Sequence, residues 1–188
     1  TAEAGVDIRK EIYNTFVTFY NVMKWIIKNG CIKTVKYIIN TQNFRGDITD
    51  HQYNNLIQLS ITSRHIEITK YMISISTIND INSIFVIDYT SINYYIIIAS
   101  EIGSLDLVKY LMSFPYADPT TEYNGALQFA IINGHLNIIR YLFSLPKKYN
   151  VHQTTDFNLL IEIINDKINL DYTNKNVEIL TYLISIKN

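Results

Sequence analysis

One eight-residue phrase occurs five times in this chain of 188 residues. It reads IKTVKYII at 32–39, IEITKYMI at 66–73, LDLVKYLM at 105–112, LNIIRYLF at 136–143 and VEILTYLI at 177–184. Its tyrosines, Tyr37, Tyr71, Tyr110, Tyr141 and Tyr182, are separated by 34, 39, 31 and 41 residues. A period of that size denotes one supersecondary unit stacked on copies of itself. Such arrays present long surfaces to partners and seldom assemble catalytic constellations.

The clearest copy runs from Tyr123 to Tyr149. Ala126 to Ile132 forms a short apolar helix that ends at Asn133-Gly134, because glycine tolerates the left-handed position just past a helix. After His135 comes an amphipathic helix from Leu136 to Ser144, with Leu136, Ile138, Ile139, Leu142 and Phe143 at helical spacing. Pro146 prevents its continuation. The stretch from Lys147 to Thr155 is polar and predicts a loop. Asn29-Gly30 and Ile102-Gly103 occupy the same turn in the first and third copies. Ser63-Arg64 stands there in the second, at a cost of roughly 1 kcal/mol for a non-glycine residue. The fifth copy predicts helices near Phe157–Asn165 and from Asn176, with Asp166 to Asn174 as an inserted long turn. The repeats fall near 9–40, 54–74, 92–113, 123–144 and 157–186. Residues 1–8 lack an initiator methionine and break the style of the chain, so they read as a tag remnant or fragment edge.

Composition excludes several classes. Sixteen basic and seventeen acidic residues leave a net charge of −1, without the basic concentration that nucleic-acid binding needs. The adjacent basic pairs, Arg9-Lys10 and Lys147-Lys148, read as solvated surface. No apolar run approaches the roughly 18–20 residues that span a bilayer. Cys31 is the one cysteine, so there is no internal disulfide, and there is no N-glycosylation sequon. Both facts fit a cytoplasmic protein.

The motifs of chemistry are missing too: no Gly-rich phosphate loop, nucleophile elbow, Cys-x-x-Cys or His-Glu-x-x-His. The expectation is no enzyme, no cofactor and no metal. His65, His135 and Cys31 share the slot after the turn, where a structural hydrogen bond is the simplest role. Arg45-Gly46-Asp47 reads as an ordinary turn rather than an adhesion signal. Asp80 and Asp88 flank Ile81 to Ile87 within the longest connector, Ser74 to Asn93. Its Ile84-Phe85-Val86-Ile87 run predicts a partly buried extended finger. The phrase tyrosines read as packing between repeats.

The helix pair, the Gly-His turn of NGHLNII at 133–139 and IGSLDLV at 102–108, and the Ala117-Asp118-Pro119 turn together resemble the ankyrin repeat. The style is similar to ankyrin proteins of amoebae and their large DNA viruses. The resemblance covers about residues 10–186 and implies an all-α, ankyrin-type helix-turn-helix solenoid of about five repeats with irregular connectors. The family's T-P-L-H opening is absent: Gly125-Ala126-Leu127-Gln128 and Tyr94-Tyr95-Ile96-Ile97 stand there. The capping network of that Thr and His is therefore missing or rebuilt.

The resemblance implies a protein-interaction scaffold that binds another protein through its concave face. Mapped from the turn, the residues before it are Thr62, Ser63, Glu101, Ile102, Ile132 and Asn133. Those opening the first helices are Asn54, Asn93 and Asn124. Connector tips add Tyr53, Thr121, Glu122 and Tyr123, with His51 and Gln52 beside them. Tyr53, Tyr123, Ile102 and Ile132 carry the most weight, since aromatic and apolar anchors dominate binding energy. An alternative is a structural subunit of a larger assembly or virion, self-associating through the apolar final helix at Ile179, Leu180, Leu183 and Ile184. A ubiquitin-ligase substrate adaptor ranks lower, because no ligase-binding tail follows Asn188. Host cytoplasm is the matching location for a viral protein.

Overall fold

The computed structural model describes residues 19–40, 48–76, 87 and 89–187. No strand occurs among them, and the chain divides into two compact units, Thr1–Ile87 and Asp88–Asn188. The first unit holds α1 (19–28), α2 (Ile32–Ile39), α3 (Asp50–Thr62) and α4 (Ile66–Ser74). The second holds α5 (Tyr89–Glu101), α6 (Leu105–Leu111), α7 (Thr121–Ile132), α8 (Leu136–Phe143), α9 (Val151–Thr154), α10 (Phe157–Leu170) and α11 (Asn174–Lys187). The fold is the all-α, helix-turn-helix array that the repeat predicts.

The turn inside each pair is the same object four times. Gly30, Arg64, Gly103 and Gly134 have φ of 68°, 62°, 81° and 71°. In each case this residue's N–H donates three residues back, and the next N–H donates five back. Gly134 reaches Ile131 at 3.0 Å and His135 reaches Ala130 at 2.7 Å. This doubly bonded closure satisfies the orphan carbonyls of the first helix and reverses the chain within two residues. The second helices then start without side-chain caps. Two first helices start with caps: Thr49 and Gln52 form a reciprocal capping box on α3, and Asp156 accepts from Asn158 and Leu159 on α10.

Within the phrase, burial falls in two rows. The second, third and fourth copies bury positions three, four, seven and eight, as in Ile138, Ile139, Leu142 and Phe143. The first copy buries the fourth and eighth, Val35 and Ile39. The fifth buries the third and seventh, Ile179 and Leu183, and leaves Ile184 46 % exposed. The middle copies thus bury two adjacent ridges of a short helix, and the end copies one each.

Three expectations change. The stretch from Lys147 to Thr155 is not a plain loop: Lys147–Tyr149 is a 3-10 turn and Val151–Thr154 a helical turn, joined at Asn150 with φ 54°. The fifth copy has no long inserted turn. Its first helix continues to Leu170 and its second begins at Asn174, so helix absorbs the added residues. Asp171 is extended there, with φ −148°, and no glycine-type closure forms. Finally, the phrase tyrosines pack between copies from the edge of the core and not within it: Tyr71, Tyr110, Tyr141 and Tyr182 are half-buried and Tyr37 is exposed. Arg45-Gly46-Asp47, Asp80, Asp88 and Ile84-Phe85-Val86 lie outside the described residues; Ile87 is buried.

Candidate functional site

In the second unit, α5, α7 and α10 form one layer and α6, α8 and α11 the other. α7 packs against α5, α8, α9 and α10, which leaves it one free side. That side carries Phe129, Ile132 and Asn133, all exposed. The free stripe of α5 is Thr90, Tyr94 and Glu101, spaced as one helical face. That of α10 includes Leu159, Glu162, Asp166 and Leu170.

The start of α7 is built unusually. Glu122, Tyr123 and Asn124 have φ of 52°, 55° and 63° and ψ of 48°, 45° and 41°. Three successive L-residues make a left-handed turn, at roughly 1–2 kcal/mol each. Side chains hold it in place. Asn124 is buried; its Nδ2 donates to the Thr154 carbonyl at 2.9 Å, and the Thr154 hydroxyl donates to its Oδ1 at 3.2 Å. Gln128 Nε2 donates to the Tyr123 carbonyl at 2.7 Å. Upstream, Asp118 Oδ1 accepts from the Thr120 N–H and hydroxyl at 2.9 and 2.7 Å. The outcome is a Tyr123 side chain that is 89 % exposed. Beside it, Thr90, Asn93, Tyr94, Ile97, Thr121 and Glu122 line an apolar hollow of about 170 Å³.

The mapped residues divide accordingly. Glu101, Glu122, Tyr123, Ile132 and Asn133 are exposed in the second unit, and Thr62 in the first. Ser63, Asn54, Ile102 and Thr121 are half-buried. Tyr53, Asn93 and Asn124 are buried and leave the surface. Tyr53 sits in right-handed helix, its hydroxyl donating to the Met72 carbonyl at 2.8 Å, and burial raises its pKa well beyond the tyrosine range. Gln52 is occupied as the capping-box partner of Thr49. Asn93 Oδ1 accepts the Asp118 N–H at 2.8 Å. Asn93 and Asn124, each ten residues before a turn glycine, thus clamp the connector that follows their own repeat. They tie each first helix to that connector. Tyr94, Phe129, Leu159 and Leu170 were not mapped. Mapping from the turn selects helix ends, whereas projecting each first helix at 3.6 residues per turn brings out these mid-helix positions.

The turn histidines have structural duties. His65 Nε2 donates to the Lys28 carbonyl and His135 Nε2 to the Glu101 carbonyl, both at 3.0 Å. A carbonyl only accepts, which fixes the ring tautomer. Each ring also lies over the preceding turn glycine, Gly30 or Gly103. Cys31 is half-buried, its thiol 3.7 Å from the Asn29 carbonyl. Within each unit, phrase tyrosines meet cations of the copy before. Lys36 lies over Tyr71 at 5.2 Å, Lys109 over Tyr141 at 5.7 Å and Arg140 over Tyr182 at 5.5 Å. Each cation precedes its own copy's tyrosine and reaches the ring of the next copy, a contact worth about 0.5–1 kcal/mol when exposed. Partial desolvation raises the pKa of Tyr110, Tyr141 and Tyr182.

Among the described residues, no three His, Cys, Asp or Glu side chains converge to hold a metal ion, and no helix is long and apolar enough to cross a membrane. The free stripes of α5, α7 and α10 offer apolar and aromatic contact. No family model matches the chain, and no solved structure matches it. Over 115 residues the chain is 29 % identical to a protein of Acanthamoeba polyphaga mimivirus named as an ankyrin repeat protein; the match covers 61 % of this chain and 28 % of that longer protein. The match points to a divergent, ankyrin-like relationship over that stretch and no further.

Proposed function

We propose that the chain is a protein-interaction module whose second unit binds its partner through the free face of α5, α7 and α10. The exposure of Tyr123 carries this reading. A large aromatic held in solvent by a strained backbone turn has no packing role, and strain of this kind persists at binding and clamping sites. Tyrosine combines large contact area with a low entropy cost of immobilisation, which makes it a preferred anchor at interfaces. Tyr94 and Ile132, 49 % and 38 % exposed, extend the patch. Kinship with a protein named for ankyrin repeats adds support.

The test compares the intact chain with its Tyr123→Ala/Ile132→Ala variant as baits. Proteins retained by the parent should fall by about tenfold or more on the variant, equivalent to about 1.4 kcal/mol or more. Thermal midpoints should agree within about 2 °C, since neither side chain is buried. Undiminished retention would refute the placement.

Self-association is a second reading, favoured by the uncovered ridge of α11, where Ile184 is exposed and Leu180 half-buried. Light scattering across a concentration series tests it. A monomer at the highest concentration would exclude it.

A further inference from the structure

The free face of the second unit is sorted by charge as well as by polarity. The exposed ionisable side chains of α5, α7 and α10 are Glu101, Glu122, Glu162 and Asp166; the one cation on these three helices, Lys167, is half-buried. The opposite layer differs: α6, α8 and α11 expose Lys109, Arg140, Lys175 and Lys187 against Asp106 and Glu178. Two of these cations reach toward the first layer, Lys187 donating to Asn158 Oδ1 at 2.8 Å and Lys175 lying beside Gly134. The whole chain is nearly neutral, at −1. The acidic face is therefore a product of sorting between layers, not of an acidic composition. Tyr94, Phe129, Ile132, Leu159 and Leu170 interrupt the acids on the same stripes.

We infer that this face takes a basic, amphipathic segment of a partner protein, with lysines or arginines set around an apolar stripe. The inference rests on the interaction reading above and gives its partner a chemistry. A surface with carboxylates around aromatic anchors repels an acidic partner and gains from a basic one, in encounter rate and in register. It also disfavours nucleic acid and anionic lipid, whose phosphates would meet Glu101, Glu122, Glu162 and Asp166. The apolar side chains separate this occupant from a merely cationic, hydrophilic tail, which would leave them in water. α10, with 14 residues, is about 21 Å long. A partner helix of roughly the same length would set its apolar residues every three or four positions to meet the anchors.

The experiment displays random peptides of about 16 residues on phage and selects them against the immobilised intact chain. Enriched sequences should carry net positive charge with apolar residues at helical spacing. Their retention should fall about tenfold or more on a Glu101→Gln/Glu122→Gln/Glu162→Gln/Asp166→Asn variant, and in about 0.5 M salt. Loss on Tyr123→Ala/Ile132→Ala is expected as well. Unfolding curves of both variants should superimpose on the parent, because every changed side chain is exposed. Neutral or acidic winners that still depend on Tyr123 and Ile132 would overturn the basic partner and leave the interaction face standing. Winners indifferent to both variants, or no enrichment over the bare support, would overturn both.

Discussion

At the scale of single residues, the turn glycines do two jobs that one substitution can separate from a control. Gly103 has φ 81°, and a Cβ built on it would lie 2.6 Å from Nδ1 of His135 and closer still to the ring carbon between the nitrogens. Alanine there meets both a conformational cost of about 1–2 kcal/mol and the displacement of a ring that donates to Glu101. Gly103→Ala should destabilise the protein by about 2–3 kcal/mol in denaturant melts. Arg64 supplies the contrast: it holds φ 62° without glycine and its side chain is exposed. Arg64→Gly should raise stability by up to about 1 kcal/mol. If Gly103→Ala were as stable as the parent, the turn would not be the rigid object described. The place of these glycines was readable from sequence, because a helical pattern that stops at Asn-Gly has few other solutions. The histidine lying on the glycine was not readable, since it comes from the next copy, more than thirty residues on.

At the scale of elements, the start of α7 shows where sequence reasoning stopped. Tyr53-Asn54 and Tyr123-Asn124 occupy equivalent places in two copies, and both tyrosines read as partner anchors. In α3 the Thr49 cap opens a right-handed helix, so Tyr53 turns inward to Met72. In α7 the backbone is left-handed through Asn124, so Tyr123 turns outward. Handedness over three residues leaves no periodic trace, because it depends on Asn124 finding Thr154 thirty residues later. The helix pairs themselves were legible, since their apolar spacing is local. The charge sorting between layers needed the layers first. Asn124→Ala tests the anchor. It removes both bonds to Thr154 and puts alanine at φ 63°, for a loss of about 2–3 kcal/mol. Amide exchange should quicken across 150–155 before the rest of the second unit. Asn133→Ala, which removes only an exposed bond to the Phe129 carbonyl, should cost about 0.5 kcal/mol or less. Equal effects of the two would show that the clamp does not hold the turn.

At the scale of the whole molecule, the tyrosines tie folding to alkaline pH. Burial raises the pKa of Tyr53 beyond its ordinary range, and partial burial raises Tyr110, Tyr116, Tyr141 and Tyr182. A phenol raised in the folded state is neutral there while its unfolded counterpart ionises near pH 10. The stability that these groups contribute is therefore complete below about pH 10 and is lost as pH climbs from there through their folded values. The thermal midpoint should thus hold level through neutral pH and fall steeply above pH 10. Tyr53→Phe separates the contributions. Below pH 10 it loses the hydroxyl's bond to Met72, about 1 kcal/mol, and above it the fall should be shallower than in the parent. Absorbance titration of the folded protein should show the surface tyrosines ionising reversibly, with Tyr53 titrating only as the chain unfolds. A parallel fall in parent and Tyr53→Phe would mean that the hydroxyl over Met72 ionises without opening the first unit, and that its burial is not what couples this array to pH.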